Sequence, residues 1–84
     1  MRITLKLFAS LAKHLPPEVQ AQLRMELELE DGASVLAAIQ RQGIPPEQCA
    51  IVLVDGVWVA PTERAVRSLQ AGEVLAIWPP VAGG

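Results

Sequence analysis

Leu23-Arg24-Met25-Glu26-Leu27-Glu28-Leu29-Glu30 decides the fold. Leu23, Met25, Leu27 and Leu29 alternate with Arg24, Glu26, Glu28 and Glu30. Leucine and glutamate are both good helix formers. A period of two, however, scatters the leucines around a helix and gathers them on one face of a strand. The stretch therefore predicts a strand with one buried and one solvated face, ended by Asp31-Gly32. The acidic row of Glu26, Glu28 and Glu30 reads as a wet face that protects a sheet edge from aggregation. Its second use would be to steer a basic partner.

Upstream, Arg2 to Phe8 alternates in the same way, with Ile3, Leu5 and Leu7 on one face, and predicts a first strand. Ser10 is a candidate cap for a short helix, Leu11 to Leu15, which Pro16-Pro17 should end. Downstream, Ser34 should cap a helix running to about Gln42. Val35, Ala38, Ile39 and Gln42 form one stripe of that helix, and Gly43 sits at its C′ position. Pro45-Pro46 bars any continuation. Ile51-Val52-Leu53-Val54 is an unbroken apolar run, which predicts a strand buried on both faces. Asp55-Gly56 signals a two-residue hairpin, with Val57 to Ala60 as the returning strand and Trp58 packed near the turn. Pro61 to Gln70 reads as an irregular crossover, and Ala71-Gly72-Glu73 turns the chain into a last strand, Val74 to Trp78. The first two strands can pair antiparallel, and the last can return parallel to the first through the long crossover. The order predicts an α+β fold: a mixed sheet of about five strands with one main helix on one face, the β-grasp arrangement that ubiquitin has.

Size and charge bound the function. With 84 residues the chain predicts one domain, residues 1–84, too small to hold a catalytic cleft between domains. Half the residues are hydrophobic, which excludes a disordered chain, and a net charge of −2 argues against nucleic-acid binding. No apolar stretch approaches the roughly 20 residues of a membrane helix, and Met1 to Lys6 does not open like a signal peptide. A lone Cys49 excludes an internal disulfide and suits a reducing cytoplasm. Cys49 reads as a small core hydrophobe, and His14, with no orienting partner in the pattern, as a surface helix residue. No zinc spacing, phosphate loop or catalytic triad is present, so neither a metal nor a bound cofactor is expected.

The end of the sequence carries the functional signal: Trp78-Pro79-Pro80-Val81-Ala82-Gly83-Gly84. Pro79 and Pro80 stiffen the chain where it leaves the last strand. Gly83 and Gly84 have no Cβ, so the tip is thin and conformationally free. A stiff stalk with a flexible tip, residues 79–84, suits insertion of a carboxylate into a narrow channel of another protein. Val81 and Ala82, small and apolar, would line the channel wall. If Leu75 and Ile77 face the core, Val74, Ala76 and Trp78 share the other face and should form an exposed apolar patch, which marks an interface.

On these residues the chain resembles the small sulfur-carrier proteins of the MoaD/ThiS family. The resemblance covers essentially the whole chain in element order. Its specific part is Leu69 to Gly84: a glycine-and-acid turn, a short apolar strand, an aromatic, Pro-Pro, two small residues and Gly-Gly. The block is closest to the small subunit of molybdopterin synthase, because the thiamine-pathway carriers usually lack the aromatic-Pro-Pro lead-in. The Asp55-Gly56 hairpin fits as well. Two departures, Trp78 in place of the more usual phenylalanine and the less acidic Ala71-Gly72-Glu73-Val74 turn, make the partner-facing surface greasier.

The resemblance implies that Gly84 is adenylated with ATP by an E1-like, MoeB-like enzyme. A persulfide donor then converts it to a thiocarboxylate. The sulfur passes to a pterin precursor inside a large, MoaE-like subunit, and the small protein is itself non-catalytic. It leaves two neighbouring uses open: a carrier for thiazole or another sulfur pathway, and a ubiquitin-like modifier joined through Gly84 to lysines. A third class is a passive β-grasp interaction module with an inert tail.

Overall fold

The computed structural model describes residues 1–80; the expectations for Val81, Ala82, Gly83 and Gly84 lie outside them. The elements run β1 (Arg2–Leu7), two 3₁₀ turns (Ala9–His14 and Pro17–Gln22), β2 (Arg24–Glu28) and α1 (Val35–Arg41). A 3₁₀ turn (Pro46–Gln48), β3 (Ile51–Val54), β4 (Val57–Trp58), a fourth 3₁₀ turn (Pro61–Glu63) and β5 (Val74–Trp78) follow. The strands form one sheet in the order β2-β1-β5-β3-β4. β1 pairs antiparallel with β2 (Ile3 opposite Leu27) and parallel with β5 (Leu5 opposite Leu75, Leu7 opposite Ile77). β3 pairs antiparallel with β5 and with β4. This mixed five-stranded sheet with one main helix is a β-grasp fold.

The registers place most inward residues of the alternating stretches in one layer. Ile3, Leu5, Leu7, Leu27, Val52, Val54, Leu75 and Ile77 meet Val35, Ala38 and Ile39 of α1 in a single hydrophobic core. The helix begins where Ser34 caps it: its Oγ accepts the Ala37 N–H at 3.0 Å, a contact worth about 1 kcal/mol. It stops at Gly43, whose φ of +72° is open to glycine at little cost. The Asp55-Gly56 turn has φ of +49° and +82° in succession, as a type I′ hairpin requires. Arg2 and Glu28, directly opposite each other, are joined by a 2.8 Å hydrogen bond, so the wet face of β2 is laced to β1.

Several expectations are corrected. Ser10 caps nothing: the first 3₁₀ turn starts at Ala9 with Phe8 as its cap residue. The short helix is a 3₁₀ turn that stops at His14, ahead of Pro16-Pro17 as expected, and Pro17 opens a second 3₁₀ turn, the position where a missing N–H is harmless. Leu23 lies outside β2 in a left-handed conformation, φ +61°, and joins the sheet only by its carbonyl, which accepts the Leu7 N–H at 3.0 Å. β3 is not covered on both faces: Ile51 is 43% exposed and Leu53 is partly exposed, because α1 covers one face of the sheet only. Trp58 does not pack at the hairpin; it is 55% exposed, and β4 is only two residues long.

Candidate functional site

β5 lies at the centre of the sheet, between β1 and β3, so the chain that leaves it starts from a strand held on both sides. Its lower end is fixed by side chains. The Asp55 carboxylate accepts the Val74 N–H at 2.8 Å. Arg67 grips Glu73 with two hydrogen bonds, 2.9 and 3.4 Å, and the Gln70 N–H adds a third to the same carboxylate at 2.6 Å. The hydrogen bond from Arg67 holds the Glu73 carboxyl below the usual range; burial opposes it, and the Gln70 N–H and the Arg67 charge add smaller effects in the lowering direction.

A depressed carboxylate pKa sets the sign of a pH effect. The clamp contributes stability fully above the unfolded carboxylate value of about 4.3 and loses it as pH falls through the lower folded value. Glu73→Gln should therefore lower the melting temperature at neutral pH and flatten the acid limb of the melting profile. An acid limb as steep as that of the unsubstituted chain would contradict the clamp.

At the upper end the sheet stops abruptly. The Phe8 N–H donates to the Ile77 carbonyl at 3.2 Å, and the Ala50 N–H donates to the Trp78 carbonyl at 2.9 Å. The next two residues, Pro79 and Pro80, have no N–H to give, so neither neighbouring strand can follow the chain further. Pro79 is half-buried and Pro80 exposed: the stalk leaves the sheet between them. Beneath this point the Phe8 ring lies flat on the Trp78 indole, centroids 4.3 Å apart and planes 6° from parallel. Phe8→Ala should remove roughly 0.5–1.5 kcal/mol of stability beyond the area lost. A denaturant melt with an unchanged midpoint would show that the stack contributes nothing.

Of the patch expected on β5, Val74 and Trp78 are half-buried, but Ala76 is only 9% exposed. Its methyl group is the smallest side chain on that row and sits in register between Lys6 of β1 and Leu53 of β3, which shade it. The apolar surface is therefore not centred on β5. It runs along the open face through Trp78, Leu53 and the exposed Ile51 and Trp58. Sequence reasoning missed Phe8, Ile51 and Leu53. Phe8 reaches the site through register: Leu7 opposite Ile77 puts the next residue of each chain side by side.

Arg64 was also missed. It is 7% exposed, and its guanidinium donates to the Cys49 carbonyl at 2.7 Å and the Val59 carbonyl at 3.2 Å, pinning the crossover to both ends of the β3–β4 hairpin. Cys49 is 4% exposed beside it, a core residue as expected. Burial pushes its thiol pKa up, the Arg64 charge opposes this, and Glu47 adds to it, so the group is not an activated nucleophile. His14 is half-buried in the first 3₁₀ turn. Among the described residues no cluster of three His, Cys, Asp or Glu could hold a metal ion, and no helix is long and apolar enough to cross a membrane.

The chain belongs to the ThiS family, which it matches over residues 5–84. No curated protein sequence matches it. Among solved structures it is similar to SAMP1 from Haloferax volcanii, with 26% identity over 100% of both chains and a TM-score of 0.68. A second structure, of H. volcanii small archaeal modifier protein 1, is 25% identical over 95% of this chain and 98% of that one, with a TM-score of 0.67. The complex of subunits 1 and 2 of molybdopterin-converting factor from Helicobacter pylori includes a chain covered 100% in both directions at 17% identity and a TM-score of 0.60, a likeness of fold alone. The family is that of ThiS/MoaD-type ubiquitin-like sulfur carriers and modifiers.

Proposed function

We propose that this chain is a sulfur carrier that works as the small subunit of a molybdopterin synthase, with Gly84 as the carrier residue. The observation that carries the reading is the Trp-Pro-Pro-Val-Ala-Gly-Gly block launched from the central strand of a ThiS-family domain. A carboxylate is a poor acyl donor because oxide is a poor leaving group. An E1-like enzyme joins the Gly84 carboxylate to AMP from ATP, releasing pyrophosphate. The outer sulfur of a persulfide donor then displaces AMP and forms an acyl disulfide; a second thiol of the donor cleaves its S–S bond, closing a disulfide on the donor and releasing the Gly84 thiocarboxylate, nucleophilic at neutral pH. Inside a MoaE-like large subunit that sulfur passes to a pterin precursor. The chain supplies reach and position, not acid, base or metal, so its contribution is proximity. Gly83 lets the tip thread, Val81 and Ala82 line the channel, and Trp78, stacked on Phe8, presents with Ile51 and Leu53 the apolar face beside the tail to the partner.

The likeness to small archaeal modifier protein 1 favours one second reading, a ubiquitin-like modifier. There the same activated Gly84 forms an amide with a lysine of a target. The two separate on one experiment. Thiocarboxylated protein is mixed with a large subunit and the pterin precursor, and in parallel with cell lysate and the E1-like enzyme. Dithiolene formation without heavier bands on a denaturing gel supports the carrier. Gly84-dependent conjugates without sulfur transfer support the modifier.

A further inference from the structure

We propose that the outer edge of β4 is a second docking site, which takes an extended peptide segment of a partner protein carrying an apolar residue next to a basic one. The Val59 N–H donates to the Val52 carbonyl at 2.8 Å, so Val52 and Val59 are a hydrogen-bonded pair. Pairs alternate along an antiparallel ladder. Leu53 and Trp58, the next pair, are therefore not bonded to each other, and the N–H and C=O of Trp58 point away from β3. β4 is the last strand in the sheet, so no neighbouring strand meets them. Two outward backbone groups on an edge strand specify an extended chain as their partner.

Beside this edge runs a groove of about 440 Å³ between β4 and the crossover, lined by Val54, Val57, Trp58 and Val66 with Glu63 and Arg67. Three of the four exposed large hydrophobic residues among those described line it: Val57 at 68%, Trp58 at 55% and Val66 at 71%. Such a concentration on one edge exceeds the scattered exposure of a surface without a partner. The charge at the rim is one-sided. Arg67 is engaged with Glu73, whereas Glu63 has no cationic partner among the described residues. An apolar side chain in the groove with a basic neighbour against Glu63 is the complement.

The site shares only Trp58 with the open apolar face and lies away from the tail. Trp78 stands opposite Ile51 at one end of β3, and the β3–β4 turn lies at the other. A partner held at β4 leaves the stalk at Pro79 free to enter an active site. The inference rests on the edge and the groove, not on the chemistry of Gly84, and fails or stands independently of it.

The test is a titration of the isotope-labelled chain with an acetylated, amidated peptide of alternating valine and arginine, followed by amide resonances to millimolar peptide. The expected result is shifts confined to Val57–Ala60, Glu63 and Val66, with slowed exchange of the Trp58 N–H. N-methylation of the peptide amide that donates to the Trp58 carbonyl should weaken binding roughly two- to tenfold, the loss of one hydrogen bond. N-methylation on the other edge should not. Glu63→Gln should weaken binding roughly two- to fivefold and abolish the preference for arginine over a neutral residue. Shifts on the open face around Ile51 and Trp78, no shifts at millimolar peptide, or indifference to N-methylation would each overturn the proposal. Shifts of the same residues with protein concentration alone would overturn it in favour of a second copy.

Discussion

Gly83→Trp is expected to abolish loading of Gly84 while leaving the fold intact. On the proposed function, the residues beyond Pro79 and Pro80 enter a partner's channel. An indole one residue from the reacting carboxylate widens the tip and displaces the carboxyl carbon. A misplacement of about 1 Å already lowers a positioned reaction on the order of a hundredfold. The loading rate in a single turnover with the E1-like enzyme should thus fall by at least about that factor, with unchanged circular dichroism. Deletion of Gly84 should give none. Normal loading of Gly83→Trp would contradict threading through a narrow channel.

The largest stability effect is expected at Ile77→Ala. Ile77 is fully buried in the central strand, in register with Leu7 of β1 and Val52 of β3, and faces the helix layer. Truncation removes three carbons from a site walled on both sides by strands, which cannot close in. Such changes cost about 2–5 kcal/mol, a large share of the roughly 5–15 kcal/mol that holds a domain together, and an 84-residue chain sits towards the lower end. The melting temperature should fall by at least about 8 °C. A shift below about 4 °C would show that the core closes over the gap. The same substitution disturbs the base of the stalk, since the Ile77 carbonyl takes the Phe8 N–H.

What the sequence made legible was local chemistry with a single reading. The Leu/Glu alternation could only be a one-faced strand, Ser34 and Gly43 bracketed a helix, and Asp55-Gly56 demanded positive φ at two successive residues. The parallel pairing of β1 and β5 followed from connection length. What escaped needed neighbours distant in sequence. The apolar run of β3 looked doubly buried because hydrophobicity does not reveal how many faces a single helix can cover. Arg64 has no signal at all, since its partners are backbone carbonyls at Cys49 and Val59. Phe8 joined the site only through register, and Ala76 left the exposed patch because its neighbours are larger than it is. At the tail, Pro79 and Pro80 stand where the sequence put them, at the exit from the central strand.

The most direct test of the carrier chemistry is the intact mass of the chain after incubation with an E1-like enzyme, ATP and a persulfide donor. The expected result is a mass gain of one oxygen replaced by sulfur, located at Gly84 and absent when Gly84 is deleted. An unchanged mass in the presence of an E1-like enzyme that demonstrably forms the Gly84 adenylate would contradict it.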